Sequence, residues 1–262
     1  MTEQSLRFDD SAAYERLMGR WSRAVAPVFL DWLAPPSGAR WLEIGCGTGV
    51  FTEVLLDRAS PAAVSAIDPS KEQIEYASSQ PAAQRADFQV ADARVLPFPD
   101  CAFDIVVSAL VINFIPDRPR ALSEMRRVTR KGGMVAGYIW DFAPELSPSG
   151  PMRQGMRRFG MDVPDLPGAH ESSLGALISM FERAGFQEIA STSIDITVSF
   201  PDFESFWQAQ TPSYAPTTKM IAAMQSADRE RLMESVRAGL PLSPDGTIQY
   251  PARANAIKAR VP

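Results

Sequence analysis

The chain has one histidine, His170, and two cysteines, Cys46 and Cys101. With so few of either, there is no disulfide framework and no metal-ligand spacing, and free thiols without an export signature point to the cytoplasm. Long apolar runs are also absent. No stretch approaches the ~20 residues that span a bilayer, and Met1-Thr2-Glu3-Gln4-Ser5 is polar where a signal peptide has a basic start and an apolar middle. There is no dense Lys/Arg track, and the formal net charge is −5, which argues against a nucleic-acid partner. At 262 residues and 45% hydrophobic content, the chain can fill one sizeable core and reads as one domain over 1–262.

The most informative stretch present is Leu42-Glu43-Ile44-Gly45-Cys46-Gly47-Thr48-Gly49-Val50-Phe51-Thr52. Trp41, Leu42 and Ile44 end an apolar strand, and Phe51, Val54 and Leu55 recur at helical spacing beyond it. Glycines between a strand and a helix let the backbone turn tightly and come close to a ligand. The dinucleotide fingerprint places its third glycine later, whereas here Phe51 stands two residues after Gly49. Glu43, ahead of the first glycine, suits an ammonium group and would repel a phosphate. Asp68 ends the next apolar run, nineteen residues after Gly49, where a carboxylate can accept from both hydroxyls of a ribose. The predicted ligand is a nucleoside with a cationic tail.

These residues resemble the class I S-adenosylmethionine-dependent methyltransferases, in the small-molecule, quinone-biosynthesis-like branch known as methyltransferase type 11. Glu43-x-Gly45-x-Gly47-x-Gly49 is similar to the family's first motif, and Ile67-Asp68-Pro69-Ser70 to its ribose-binding acidic loop. Ala91-Asp92-Ala93-Arg94-Val95-Leu96-Pro97-Phe98 looks like the adenine loop, Phe103 to Ser108 like the fourth strand, and Val128 to Gly133 like the turn before the fifth. Tyr14 to Ser22 and Val111 to Asp117 resemble a bacterial subgroup with mostly unassigned substrates. The resemblance implies cofactor contacts from Tyr14, Arg20, Glu43, Gly45, Gly47, Gly49, Asp68, Pro69, Asp92, Ala93 and Ser108. Arg20 would pair with the methionine carboxylate or stay a surface cation.

Strands near 40–45, 62–67, 86–91, 103–108, 133–140, 189–200 and 247–261 alternate with helices near 49–58, 70–79, 118–129 and 172–184. The pattern predicts an α/β fold with a doubly wound, seven-stranded, mostly parallel sheet. By resemblance the last strand inserts antiparallel, although Pro251 weakens it. Two helices, Ala12 to Met18 and Val25 to Leu33, form an N-terminal helical lid over 1–36, and 37–140 is the cofactor-binding core. Residues 141–171 and 201–240, the latter with a long helix to Leu240, are expected to be substrate-cap insertions. Their Met and aromatic residues suit an adaptable apolar pocket or plain packing. Arg126, Arg127, Arg130 and Lys131 read as solvated cations at a helix C-terminus. Arg153, Arg157 and Arg158 read as a solvated helix face, or less simply as a site for an anionic group.

A sulfonium methyl is an excellent electrophile, so such a site mainly aligns the reactants in a dry pocket. His170 reads equally as a general base or as a surface histidine. Asp141 serves either to orient substrate or to cap the lid, and Asn113 either to touch substrate or to cap its loop. Trp140, Met156 and Trp207 complete the candidate substrate set. No Asn/Asp-Pro-Pro-Tyr/Phe follows the fourth strand and no Pro-Cys pair occurs, which removes the amino-methylating and pyrimidine-attacking types. The expectation is methyl transfer from S-adenosylmethionine, giving S-adenosylhomocysteine, to O, N or C of a small, largely apolar acceptor. A non-catalytic S-adenosylmethionine-binding sensor is the first alternative. An NAD(P)-dependent oxidoreductase is disfavoured by the glycine spacing and by the lack of a Tyr-x-x-x-Lys pair. No metal, no nucleic acid and no membrane insertion are expected, and the oligomeric state is open.

Overall fold

The structure, a computed structural model, describes residues 19–142, 145–212 and 216–262, with the backbone alone at Arg20, Ala83 and Pro216. Tyr14, the helix expected over Ala12 to Met18, and the Arg20 side chain lie outside the described residues. The strands are β1 (Arg40–Ile44), β2 (Ala63–Asp68), β3 (Asp87–Val90), β4 (Phe103–Ala109), β5 (Thr129–Trp140), β6 (Gln187–Phe200) and β7 (Ile248–Arg260). They form one seven-stranded sheet in the order β3-β2-β1-β4-β5-β7-β6. The first five run parallel, and β7 slots antiparallel between β5 and β6.

The helices are α1 (Arg20–Leu33), α2 (Val50–Arg58), α3 (Lys71–Ser79), α4 (Arg118–Val128), α5 (Gly150–Arg158), α6 (Leu174–Arg183), α7 (Phe203–Gln210), α8 (Pro216–Ala222) and α9 (Ser226–Ala238). Local chemistry starts several of them: Ser70, Asp117, Ser173 and Asp202 each accept a backbone N–H from the first turn of α3, α4, α6 and α7. Strand alternation divides the core. Trp41 faces the side covered by α1, α2, α5, α7 and α9, while Leu42 and Ile44 face α4 and α6. Both faces of β1 are thereby covered, which is why it reads as a continuous apolar run rather than an alternating one.

Four expectations need correcting. The strand through Pro251 forms in full, because Pro251 precedes Ala254, the residue that pairs with Trp140 at the end of β5. Among the described strands only β6 pairs with it there, and a missing N–H costs little at such an edge. The long helix to Leu240 is instead α8 and α9, separated where Met224 bonds back to Ile221 and Gln225 turns extended. α1 is core: Val25, Ala26, Phe29, Leu30 and Leu33 are buried, Phe29 packs 4.8 Å from the Tyr138 ring, and Lys258 Nζ caps the carbonyls of Trp32 and Leu33.

The fourth correction is the Arg126 to Lys131 cluster. Arg127 donates to both carboxylate oxygens of Glu124, to Asp100 and to the carbonyls of Phe98 and Leu96. Glu124 in turn accepts the Leu96 N–H at 2.8 Å. The pair therefore pins the 96–100 loop to α4, and helix-dipole complementation by solvated cations is not its main role. Arg130 and Arg40 share Asp104 in the same way at the start of β4.

The Arg127 guanidinium draws Glu124 down to about 2 from an ordinary 4.5. A depressed carboxylate stabilises the fold above pH 4.5 and loses that contribution as pH falls through about 2. Arg127→Ala strands a buried carboxylate and should cost about 3 kcal/mol in denaturant unfolding at neutral pH. Its stability should also fall less between pH 4.5 and 2 than that of the wild type. Parallel acid limbs for the two proteins would contradict the assignment.

Candidate active site

Strand order reverses between β1 and β4, so the connections leaving their carboxyl ends diverge and open a crevice, the usual ligand site of open α/β sheets. The loop from β1 to α2 forms one wall. Gly45, Gly47 and Gly49 all take left-handed backbone angles, with φ of 73°, 53° and 86°. The N–H groups of Gly45 and Cys46 both donate to Ile67 O, at 2.7 and 2.9 Å, which ties the loop to the end of β2. A Cβ on Gly45 would lie 2.4 Å from Val111 Cγ1, so the loop after β4 closes directly onto the loop after β1. Leu110, just before Val111, is buried and itself left-handed at φ 62°. Non-glycine residues are rarely held there, and buried cases concentrate at ligand sites.

Asp68 stands at the end of β2. Its Oδ2 accepts the Gly47 N–H at 3.0 Å and its Oδ1 the Ser70 N–H at 2.9 Å. Each carboxylate oxygen keeps lone-pair capacity for a ligand hydroxyl, and burial pushes the pKa up. Asp92 is paired instead with Arg94, whose Nε and Nη2 reach both its oxygens. That side-chain pairing holds the Asp92 pKa down. Pro69 is exposed and Ala93 half-buried beside these two carboxylates. Ser108, at the end of β4, is fully buried, and its Oγ meets no hydrogen-bond partner among the described residues.

Glu43 differs from expectation. It is 1% exposed and accepts from Thr52 Oγ1 at 2.5 Å. Alternation along β1 puts Glu43 on the α2 side with Trp41, where the first turn of α2 brings Thr52 against it. The carboxyl therefore buttresses the loop from behind. Burial, joined by the nearby Asp68 charge and partly opposed by Thr52, raises its pKa to about 8.

Beyond β5, Asp141 is buried, and its Oδ1 meets no partner among the described residues. Burial raises its pKa, with the Asn255 amide and the Arg253 charge pulling the other way. Asn255, buried within β7, donates to Ser172 O at 2.9 Å and accepts from Ser193 Oγ. Ser172 Oγ accepts the Phe142 N–H. Asn113 is buried after β4 and donates to Pro167 O at 3.1 Å, which ties the 160–171 segment to the crevice and leaves its Oδ1 unpaired among the described residues.

Trp140 and Met156 sit inside the main core cluster, and Trp207 packs partly buried on Phe203. His170 lies in a one-turn 3-10 segment, Ala169–Glu171, with its side chain 89% exposed and Nε2 3.6 Å from Asp165. It lines a cavity of about 150 Å³ together with Phe142, Arg153 and Arg157. A second cavity, about 130 Å³, opens behind the glycine loop between Thr48, Gly49, Tyr76 and Phe88. Neither cavity is lined by Asp68 or Asp92. Thr52 and Arg94 fall within the sequence motifs without an assigned role there, and Asn255 lies outside those motifs. The one available signal was Asn255, an uncharged polar residue flanked by Ala254 and Ala256 within the last strand.

Residues 42–137 match the family model of a methyltransferase domain. The chain is 36% identical over 129 residues to malonyl-[acyl-carrier protein] O-methyltransferase of Pectobacterium atrosepticum, covering 49% of this chain and 47% of that one. It is 34% identical over 148 residues to 27-O-demethylrifamycin SV methyltransferase of Amycolatopsis mediterranei, covering 54% and 51%. The chain thus spans about half the length of the curated relatives it matches. Haemonchus contortus phosphoethanolamine N-methyltransferase 2, solved in complex with S-adenosyl-L-methionine, shares the fold at a TM-score of 0.60 and 19% identity, over 99% of this chain and 59% of that one. These matches support the resemblance to class I S-adenosylmethionine-dependent methyltransferases that the glycine and aspartate motifs carry.

The raised Glu43 pKa fixes a sign. The neutral carboxyl contributes its full stability below pH 4.5, and that contribution is lost as pH rises through about 8. Glu43→Gln keeps the shape and removes the titration, so its melting temperature should fall less than the wild type's between pH 5 and 9. Identical slopes in a thermal scan across that range would contradict a buried, protonated Glu43.

Proposed function

We propose that the chain is an S-adenosylmethionine-dependent methyltransferase acting on O, N or C of a small acceptor. The observation that carries the reading is the glycine loop at the switch point, left-handed at all three glycines, crowded by Val111 and bonded through Gly47 to Asp68. The residues present suit the cofactor. No side chain fits at Gly45, so bare backbone faces the crevice, and Ser108 Oγ and Asn113 Oδ1 are buried polar atoms awaiting partners at the same strand end. Asp68 would hold the ribose hydroxyls. Asp92 would take the adenine amino group while sharing its charge with Arg94.

When bound, S-adenosylmethionine supplies a methyl group on a positively charged sulfur. The chain's own residues then have to orient the acceptor and exclude water, because a sulfonium is already a good leaving group. Asp141 suits orientation: Asn255 and Arg253 steady it against the cost of burial. His170 would take a proton only from an acceptor that carries one at its nucleophilic atom, and its exposure requires the acceptor itself to cover it. Segments 141–171 and 201–240 would cap the acceptor, with Met156 and Trp207 supporting from behind. No described helix is long and apolar enough to cross a membrane. Two free cysteines, Cys46 buried and Cys101 exposed, suit a cytoplasmic enzyme.

In titration calorimetry, Asp68→Ala should weaken S-adenosylhomocysteine binding by about 1.5–3 kcal/mol, the loss of charged hydrogen bonds. Wild-type protein with methyl-labelled S-adenosylmethionine and a cell extract should label a small molecule. Unchanged affinity in folded Asp68→Ala would remove the cofactor assignment. Tight cofactor binding without any labelled product would favour a sensor, and tight NADH binding an oxidoreductase.

A further inference from the structure

The cavity lined by Phe142, Glu145, Arg153, Arg157, Asp165 and His170 carries several ionisable side chains, measures about 150 Å³, and lies outside the cofactor set. Its position is informative. Phe142 lies two residues beyond the end of β5, and Gly168 packs so tightly on Asn113 after β4 that a Cβ would meet Asn113 O at 2.6 Å. The cavity therefore flanks the carboxyl ends of β4 and β5, whereas Asp68 and Asp92 follow β2 and β3 on the other side of the crevice.

Arg153 is not the solvated cation its helical spacing suggested. It is 9% exposed, and Nη2 donates to Pro164 O at 2.8 Å while Nε lies 3.9 Å from Glu145 Oε1. A guanidinium offers five N–H donors, so a single hydrogen bond among the described residues leaves donors that face the cavity open to an anion, which would offset the cost of burying the cation. The carboxylate now nearest is Glu145, which also contacts Arg157. Glu145 is held at φ 56°, a left-handed angle that is unfavourable for a residue with a side chain. Gly150 makes room for it, since a Cβ there would collide with Glu145 O. A strained carboxylate lying on two arginines at a cavity mouth is in the position of a stand-in for a ligand anion.

We infer that this cavity receives an anionic group, carboxylate or phosphate, of the molecule to be methylated, with Arg153 binding it and Glu145 occupying the place until it arrives. Exchange of Glu145 for a ligand oxyanion keeps the arginines paired and releases the strained loop residue. This assignment rests on the methyltransferase reading for its link to the acceptor, but the anion site can be tested without it.

The test is calorimetric titration of wild type, Glu145→Gln and Arg153→Gln with inorganic phosphate and, separately, butyrate, each in protein saturated with S-adenosylhomocysteine. Removing the internal competitor should tighten binding of the preferred anion about tenfold, and removing the guanidinium should weaken it by at least about tenfold. The preferred anion identifies which group the acceptor bears. An unchanged affinity in Glu145→Gln, or no binding of either anion to that variant, overturns the proposal, and this arm decides alone if Arg153→Gln fails to fold. If folded wild type does not take up S-adenosylhomocysteine, the methyltransferase reading fails instead, while the anion titrations still report on the cavity.

Discussion

A Cβ at residue 45 would sit 2.4 Å from Val111, and most of the site's geometry follows from that contact. The loops after β1 and β4 leave the sheet in opposite directions, so they approach one another only at the switch point. Glycine at 45 allows that approach, and Leu110 accepts a left-handed backbone so that Val111 can complete it. The Gly45 and Cys46 N–H groups are both spent on Ile67 O, which leaves the Gly47 N–H to fix Asp68. One close contact thus sets the crevice width, the loop path and the orientation of the carboxylate.

Behind that loop the molecule buries charge in two different ways. Glu43 is kept neutral by burial, with Thr52 as its close partner among the described residues, whereas Glu124 is kept ionised by the fork of Arg127. The first makes the loop's support sensitive to rising pH, and the second holds the 96–100 loop, just after Asp92, against acid. Arg153 is a third case, a buried cation with a single hydrogen bond among the described residues, and it lies near the carboxyl ends of β4 and β5. The two carboxyls support the loops around Gly45 and after Asp92, and the Arg153 guanidinium lines the cavity beside Phe142.

The seven strands, the antiparallel last one by resemblance, and the Gly45 to Gly49 and Asp68 positions between strand and helix were legible because each depends on residues close in sequence. Glu43 was legible as important but not in its role. Its partner Thr52 is chosen by the rotation of α2 on β1, which spacing does not encode. Arg127 was misjudged because its partners Asp100 and Phe98 lie 27 and 29 residues away. Pro251 read as weakening the last strand, since whether it sits at an edge depends on where β5 stops. The burial of Arg153 and Met156 follows from α9 covering α5, with Val236 against Gly155, and no local pattern announces that pairing.

The central claim is that the crevice between the β1 and β4 loops holds a nucleoside whose ribose rests on Asp68. An experimental structure of the protein grown with S-adenosylhomocysteine measures this directly. The account predicts the ligand lying along Gly45 to Gly49, with both ribose hydroxyls on the Asp68 carboxylate. A ligand bound elsewhere, or a ribose that leaves Asp68 bonded only to Gly47 and Ser70, would contradict it.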